Sequence, residues 1–210
     1  SVLSTLCEQV QSALSRVKYW CRQLGLSVNP AKTEMVLFTR RRKPGALKPI
    51  TFYGVQLQKS SVVKYLGVFL NEALTWKHHV EQKCSKAVSG LAQLRRIAGK
   101  TWGSSPKVAS WLYTAVTRPI ITYAAIVWWP RVQLKTVQAQ LNKVQRLACL
   151  YITGCIRTTP TAALELLTGL VPLHLHVLSH AAATSCRLSA SGQWKDSRLG
   201  HRNIRYLIDD

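Results

Sequence analysis

Apolar residues recur every three or four positions at the start of the chain, at Leu3, Leu6, Val10, Leu14, Val17 and Leu24. This spacing predicts an amphipathic helix, closed by Gly25 as a left-handed cap. After the turn at Asn29 and Pro30 the pattern changes to short runs rich in β-branched and aromatic residues: Met35 to Thr39, Ile50 to Leu57 and Val62 to Leu70. Lys43-Pro44-Gly45 and Lys59-Ser60-Ser61 separate them, which predicts a small antiparallel set of strands. From Thr75 onward the helical period returns. A helix capped by Thr75 and reaching Ala98 has its seam at Val80, Cys84, Ala87, Leu91, Leu94 and Ala98. Lys86, Arg96 and Lys100 lie opposite that seam, with Lys77, Lys83 and Arg95 on its flanks.

A further helix is expected from Ser105, interrupted at Pro119 and continuing to Trp129, where Pro130 stops it. The next, Val132 to Tyr151, would bury Leu134, Val137, Leu141, Val144 and Ala148 and turn Lys135, Lys143 and Arg146 outward. Gly154 ends it. Thr159-Pro160 signals a new start, and a last helix is expected from Pro172 to Leu188. Beyond Ser189 the chain turns polar. The pattern gives an α+β chain, a small antiparallel sheet followed by a mainly helical region, divided as 1–72, 73–188 and a linker or following domain at 189–210.

Charge narrows the choice of partner. The 210 residues carry 29 Lys and Arg against 8 Asp and Glu, a formal net charge of +21, and the first aspartate is Asp196. A compact body with that excess repels itself unless a polyanion lies against it, so nucleic acid is the expected partner. Clustered carboxylates for two-metal phosphoryl transfer are missing, since only Glu8, Glu34, Glu72, Glu81 and Glu165 precede Asp196. Asp209 and Asp210 lie at the end of the sequence, outside any strand context. The six cysteines contain no C-x-x-C pair, which argues against a zinc ribbon or a disulfide framework and for a reducing, intracellular compartment. The longest apolar run, Ile120 to Trp129, is half of the roughly 20 residues a membrane helix needs, and no membrane partner is expected. No leader-like segment opens the chain, and Met35 is its one methionine, so a fragment of something longer is expected.

Several strings in order along the chain resemble one family. Leu24-Gly25-Leu26-Ser27-Val28-Asn29-Pro30-Ala31-Lys32-Thr33-Glu34, with the run Met35 to Phe38, resembles the segment that follows the catalytic aspartates in reverse transcriptases of non-LTR, LINE-type retrotransposons of insects. Val63-Lys64-Tyr65-Leu66-Gly67-Val68 is similar to the primer-grip hairpin of the palm. Leu74 to His79, Trp111-Leu112-Tyr113, Tyr123 to Trp129 and Arg157 to Glu165 also resemble that family's elements.

The resemblance implies an RNA-directed DNA polymerase as the parent polyprotein, with an endonuclease elsewhere in it, acting in target-primed reverse transcription. Its partners would be an RNA template, a DNA primer and the remainder of the polyprotein, and it would act in the nucleus at integration. Residues 1–72 would be the end of the palm and 73–188 the thumb and connection. The metal-binding aspartates would lie upstream of Ser1, so Mg2+ would serve the intact parent and this piece alone would be inactive.

The resemblance gives Lys32 a place beside the departing pyrophosphate, where an ammonium offsets developing charge; the alternative is a solvated turn lysine. Lys64, Tyr65 and Gly67 would approach the primer, glycine allowing close backbone contact and lysine supplying a phosphate partner. Arg40-Arg41-Arg42-Lys43 is the densest positive cluster and reads equally as a phosphate-binding loop, a solvated loop or a nuclear-import signal. Lys86, Arg96, Lys100, Lys135, Lys143 and Arg146 are the candidate duplex contacts. Trp76, Trp102, Trp111, Trp128 and Trp129 could stack on bases, although their apolar neighbours favour the core for most. His174, His176 and His180 lack an acid or cysteine at metal-site spacing and read as structural. The rival from another class is a stand-alone basic RNA- or DNA-binding module without enzymatic activity.

Overall fold

The computed structural model describes residues 2–39, 41, 45–97 and 105–193. The chain divides into two compact units, Ser1–Thr75 and Trp76–Asp210. The α+β class expected from the pattern is the class observed.

The first unit opens with helix α1, Val2–Gln23. Gly25 adopts φ +67°, Leu26 N–H donates to the Cys21 carbonyl at 2.8 Å and Gly25 N–H to that of Arg22 at 3.2 Å. That is a Schellman closure, which satisfies the last carbonyls of the helix. The buried side of α1 differs from the expected seam. Cys7 and Cys21 are buried, while Leu6, Val10, Val17 and Leu24 are exposed. The reason is the size of this unit's core: Cys7, Ile50, Phe52 and Leu57, with Leu14, Val28, Met35, Leu47 and Tyr53 packed partly against them, cannot cover the whole apolar stripe. Gln11 fixes α1 to the strand beside it. Its amide donates to the Thr51 carbonyl and accepts from Thr51 N–H, both at 2.9 Å, substituting for a neighbouring strand.

The strands correct the sequence reading. Two separate hairpins replace one antiparallel set: β1 Thr51–Phe52 with β2 Val55–Gln56, and β3 Val62–Tyr65 with β4 Val68–Asn71. Two of the three expected strands, Ile50 to Leu57 and Val62 to Leu70, contain their own reversal. The two-residue loops Tyr53-Gly54 and Leu66-Gly67 hold positive φ at both positions, 51° and 80° in the first and 45° and 80° in the second, as a type I′ hairpin requires. Met35 to Thr39 is no sheet strand. Met35 forms a single parallel bridge with Lys59, and Thr39 N–H donates to the Glu72 carbonyl.

The second unit is helical: α2 Lys77–Ile97, α3 Pro106–Leu112, α4 Arg118–Thr122, α5 Ala125–Trp128, α6 Lys135–Thr153, α7 Thr161–Thr168 and α8 Leu173–Ala190. Thr75 does not serve as the cap expected of it. Its N–H donates to Asn71 Oδ1 and its hydroxyl accepts from Asn71 Nδ2, closing the turn after β4. Ser105 does cap α3, its hydroxyl accepting from Val108 N–H with Pro106 in the first turn. Between α3 and α4 the helix widens to a π-turn at Tyr113–Thr117, where Arg118 N–H reaches back to the Tyr113 carbonyl. Pro119 follows, and its missing N–H and ring account for the break in regular bonding. A left-handed Ala124, φ 53°, separates α4 from α5.

Leu134, expected in the core, is instead the exposed N-cap of α6. Pro160 rather than Thr159 precedes α7, and α8 begins after Pro172. One core joins these helices around Trp128, Trp129, Leu91, Leu141, Leu164 and Val177. At its centre lies Gln145, fully buried. Its Oε1 accepts from the Tyr113 hydroxyl at 3.1 Å, and its Nε2 donates to Glu165 at 2.7 Å and to the Val171 carbonyl at 2.9 Å. A buried amide satisfied on three sides specifies how α6, α7 and the π-turn meet. Burial raises the Tyr113 phenol well above its ordinary pKa, so it remains a donor. No single described helix is long and apolar enough to cross a membrane.

Candidate nucleic-acid interface

In the first unit the candidate contact residues sit on turns and a hairpin. Lys32 ends a 3-10 turn, Pro30–Lys32, whose start is fixed by the Asn29 side chain accepting from Ala31 N–H at 3.0 Å. Lys32 is exposed. Arg41 is also exposed, its N–H donating to Thr39 Oγ1; Arg40, Arg42 and Lys43 lie outside the described residues. Lys64 and Tyr65 stand at the end of β3, opposite Phe69 and Val68. Tyr65 is 64% exposed and Leu66 at the tip 74%. The Lys64 ammonium lies 5.7 Å from the Phe69 ring centroid, which holds it beside the hairpin. Gly67 carries the positive φ that turns the strand.

In the second unit Lys86 and Arg96 are exposed on α2, and Lys135 and Lys143 on α6. Lys100 and Trp102 lie outside the described residues, as do Asp209 and Asp210. Arg146 is committed to the protein. Its Nη1 donates to the Thr159 carbonyl at 2.8 Å and Thr161 Oγ1 at 2.9 Å, and its Nη2 to the Arg157 carbonyl. It therefore ties the segment after α6 to the helix. Trp128 and Trp129 are core, Trp76 is half-buried against the core, and Trp111 is 64% exposed.

Sequence reasoning missed one convergence. Arg95 from the last turn of α2, Tyr151 from α6 and Arg157 beyond Gly154 line an open cleft of about 500 Å³, with Arg146 and Leu150 in its wall. The Arg95 guanidinium lies 5.6 Å from the Tyr151 ring centroid. A cation one turn from a helix end and another just past a glycine cap are visible in the sequence. Their meeting depends on the packing of α2 against α6, which local periodicity does not reveal.

Acidic groups offer little neutralisation. Among the described residues Lys48 pairs with Glu8 and Lys59 with Glu72, both at 2.7 Å, and Lys77 with Glu81 at 3.9 Å. No three His, Cys, Asp or Glu side chains converge as metal ligands among the described residues. With Glu8, Glu72 and Glu81 paired to lysines and Glu165 bound by Gln145, these residues do not fit a two-metal centre. His176 and His180 stack loosely, centroids 6.5 Å apart, and burial first, then Arg118 and His180, pushes His176 down to about 4.

Relatives give the surface its context. A retrovirus-related Pol polyprotein from the type-1 retrotransposable element R1 of Nasonia vitripennis is 26% identical over 175 residues, 80% of this chain and 51% of that protein. The chain is homologous to Pol polyproteins of insect non-LTR retrotransposons. A 115 kDa protein assigned to element R1DM of Drosophila melanogaster is 27% identical over 82% of this chain and 17% of its own length. A Drosophila melanogaster protein named as a probable RNA-directed DNA polymerase from transposon BS is 27% identical over 70% of this chain and 16% of its own length. The chain thus spans between about a sixth and a half of the retrotransposon proteins it matches. No family model matches, and no solved structure matches.

Proposed function

We propose that the chain is the part of a non-LTR retrotransposon reverse transcriptase that holds primer and template, while the polymerising carboxylates belong to other residues of the polyprotein. The observation that carries this reading is relatedness to retrotransposon polymerases across four-fifths of a chain whose first aspartate is Asp196. Such a segment contributes charge and shape to polymerisation but no metal ligands. A stand-alone basic module would account for the charge, yet not for these relatives.

In this reading the first unit is the end of the palm. The β3–β4 hairpin presents Lys64 and Tyr65 to the primer's sugar-phosphate chain, and Gly67 permits close approach at its tip. Lys32, exposed on its turn, offsets the negative charge of departing pyrophosphate. Arg41 and its neighbours in sequence add phosphate contacts. The exposed apolar residues of α1, Leu6, Val10, Val17 and Trp20, suit a face against the rest of the palm.

The second unit is the thumb and connection, with Lys86, Arg96, Lys135 and Lys143 turned toward the hybrid backbone. Arg146 acts at one remove, holding residues 157–161 in place. Mg2+ would be held by carboxylates of the parent, and the place of action would be the nucleus during target-primed reverse transcription.

Photo-crosslinking tests the assignment. With a photoreactive nucleotide at the primer's 3′ end of an RNA–DNA hybrid, the account expects crosslinked peptides from Val62–Asn71. Crosslinks confined to the second unit would overturn the grip assignment.

A further inference from the structure

We propose that the cleft between the C-terminal parts of α2 and α6 seats an unpaired nucleotide of a single-stranded polynucleotide, its base against Tyr151 and its phosphates on Arg95 and Arg157. This rests on the reading of the chain as a nucleic-acid holder, and adds a site distinct from the outward helix faces that would meet a duplex.

Size and shape argue for a single nucleotide. A concavity of about 500 Å³ is in the range that encloses a small molecule, and a duplex cannot enter it. Its wall combines the parts that single-strand sites use: an aromatic ring for a base of any identity, aliphatic surface from Leu150, and cations for the backbone. Tyr151 already carries the Arg95 guanidinium 5.6 Å from its centroid, so ring and cation are ordered together before a ligand arrives.

The charges are placed unequally, and this divides the labour. Arg146 directs three of its five N–H donors to the carbonyls of Arg157 and Thr159 and the hydroxyl of Thr161, so its main part is fixed positive potential and a rigid rim. Arg157 projects from that rim, with its backbone held and its side chain exposed. The carbonyls that end α6 carry partial negative charge, and the three guanidinium groups outweigh it. No carboxylate lines the cleft; the two acidic residues among the described residues of this unit, Glu81 and Glu165, are held by Lys77 and Gln145.

The test uses the whole chain with two probes, a 12-nucleotide single-stranded RNA carrying one 2-aminopurine and a blunt RNA–DNA hybrid of the same length. Stacking on Tyr151 quenches the 2-aminopurine. Tyr151→Leu is expected to weaken single-strand binding roughly tenfold and to remove the quench, whereas Tyr151→Phe retains both. Arg157→Gln is expected to cost roughly fivefold for the single strand and less than twofold for the hybrid. Because Arg157 is exposed, that variant keeps the test decisive should Tyr151→Leu fail to fold. Single-strand affinity unchanged within twofold in Arg157→Gln, or equal displacement by polyglutamate, overturns the cleft assignment while hybrid binding leaves the wider reading standing. Binding of neither probe by the unaltered chain overturns both.

Discussion

His79 is fully buried beside Trp128, ring centroids 5.8 Å apart, in the first turn of a helix rich in cations. Burial first, then the charges of Lys83 and His78, pushes its pKa down from 6.5 to about 4. His176 is pushed down to about 4 in the same way, by burial and then by Arg118 and His180. Both are neutral in the folded chain over a range where the unfolded chain protonates them. Their contribution to stability is complete above about pH 6.5 and is lost as pH falls toward 4. The urea midpoint is therefore expected to drop across that window, and His79→Leu should shallow the drop. A midpoint that holds level or rises from pH 6.5 to 4 contradicts this account of the two histidines.

Among the elements, the β3–β4 hairpin has the clearest unmet preference. Its loop needs positive φ at both central positions, and Leu66 supplies φ 45° at the strain of a branched side chain. Leu66→Asn is expected to stabilise the hairpin by about 0.5–1 kcal/mol, and Gly67→Ala to destabilise it by about 1 kcal/mol. Hydrogen exchange at Val63 and Val68 measures both; faster exchange in Leu66→Asn would refute the loop argument. The same pair explains why the sequence read Val62 to Leu70 as one strand. Leu-Gly lacks the Asn-Gly signature, and strand-forming apolar and aromatic residues on either side hide the reversal.

Helices were more legible because their period is long. The glycine cap at Gly25 and the Ser105-Pro106 start lie where their chemistry requires. The buried side of α1 was not legible, because Cys7 became core against the small surface of Ile50, Phe52 and Leu57 while Leu6, Val10, Val17 and Leu24 stayed exposed. Pro119 marked a break, but the π-turn that absorbs it four residues earlier is a property of packing.

For the whole molecule, a net charge of +21 with three ion pairs among the described residues is the property that most directly expresses function. That excess was fully legible in the sequence, as was the relation to retrotransposon polymerases through ordered strings. The division of roles among the arginines was not. Arg146 reads as one more outward cation of α6 until the segment 157–161 folds onto it, while Arg95 and Arg157 read as flank and loop until α2 and α6 bring them to one cleft. Such convergence depends on contacts between residues about fifty to sixty positions apart, beyond the reach of any helical period.

The most direct measurement is the affinity of the whole chain for an RNA–DNA primer-template as salt is varied, with nucleotide incorporation followed in the same samples. The account predicts binding that weakens roughly a hundredfold or more between about 50 and 200 mM salt, and no incorporation with Mg2+ and deoxynucleotides present. Affinity indifferent to salt, or extension of the primer by this chain alone, would contradict it.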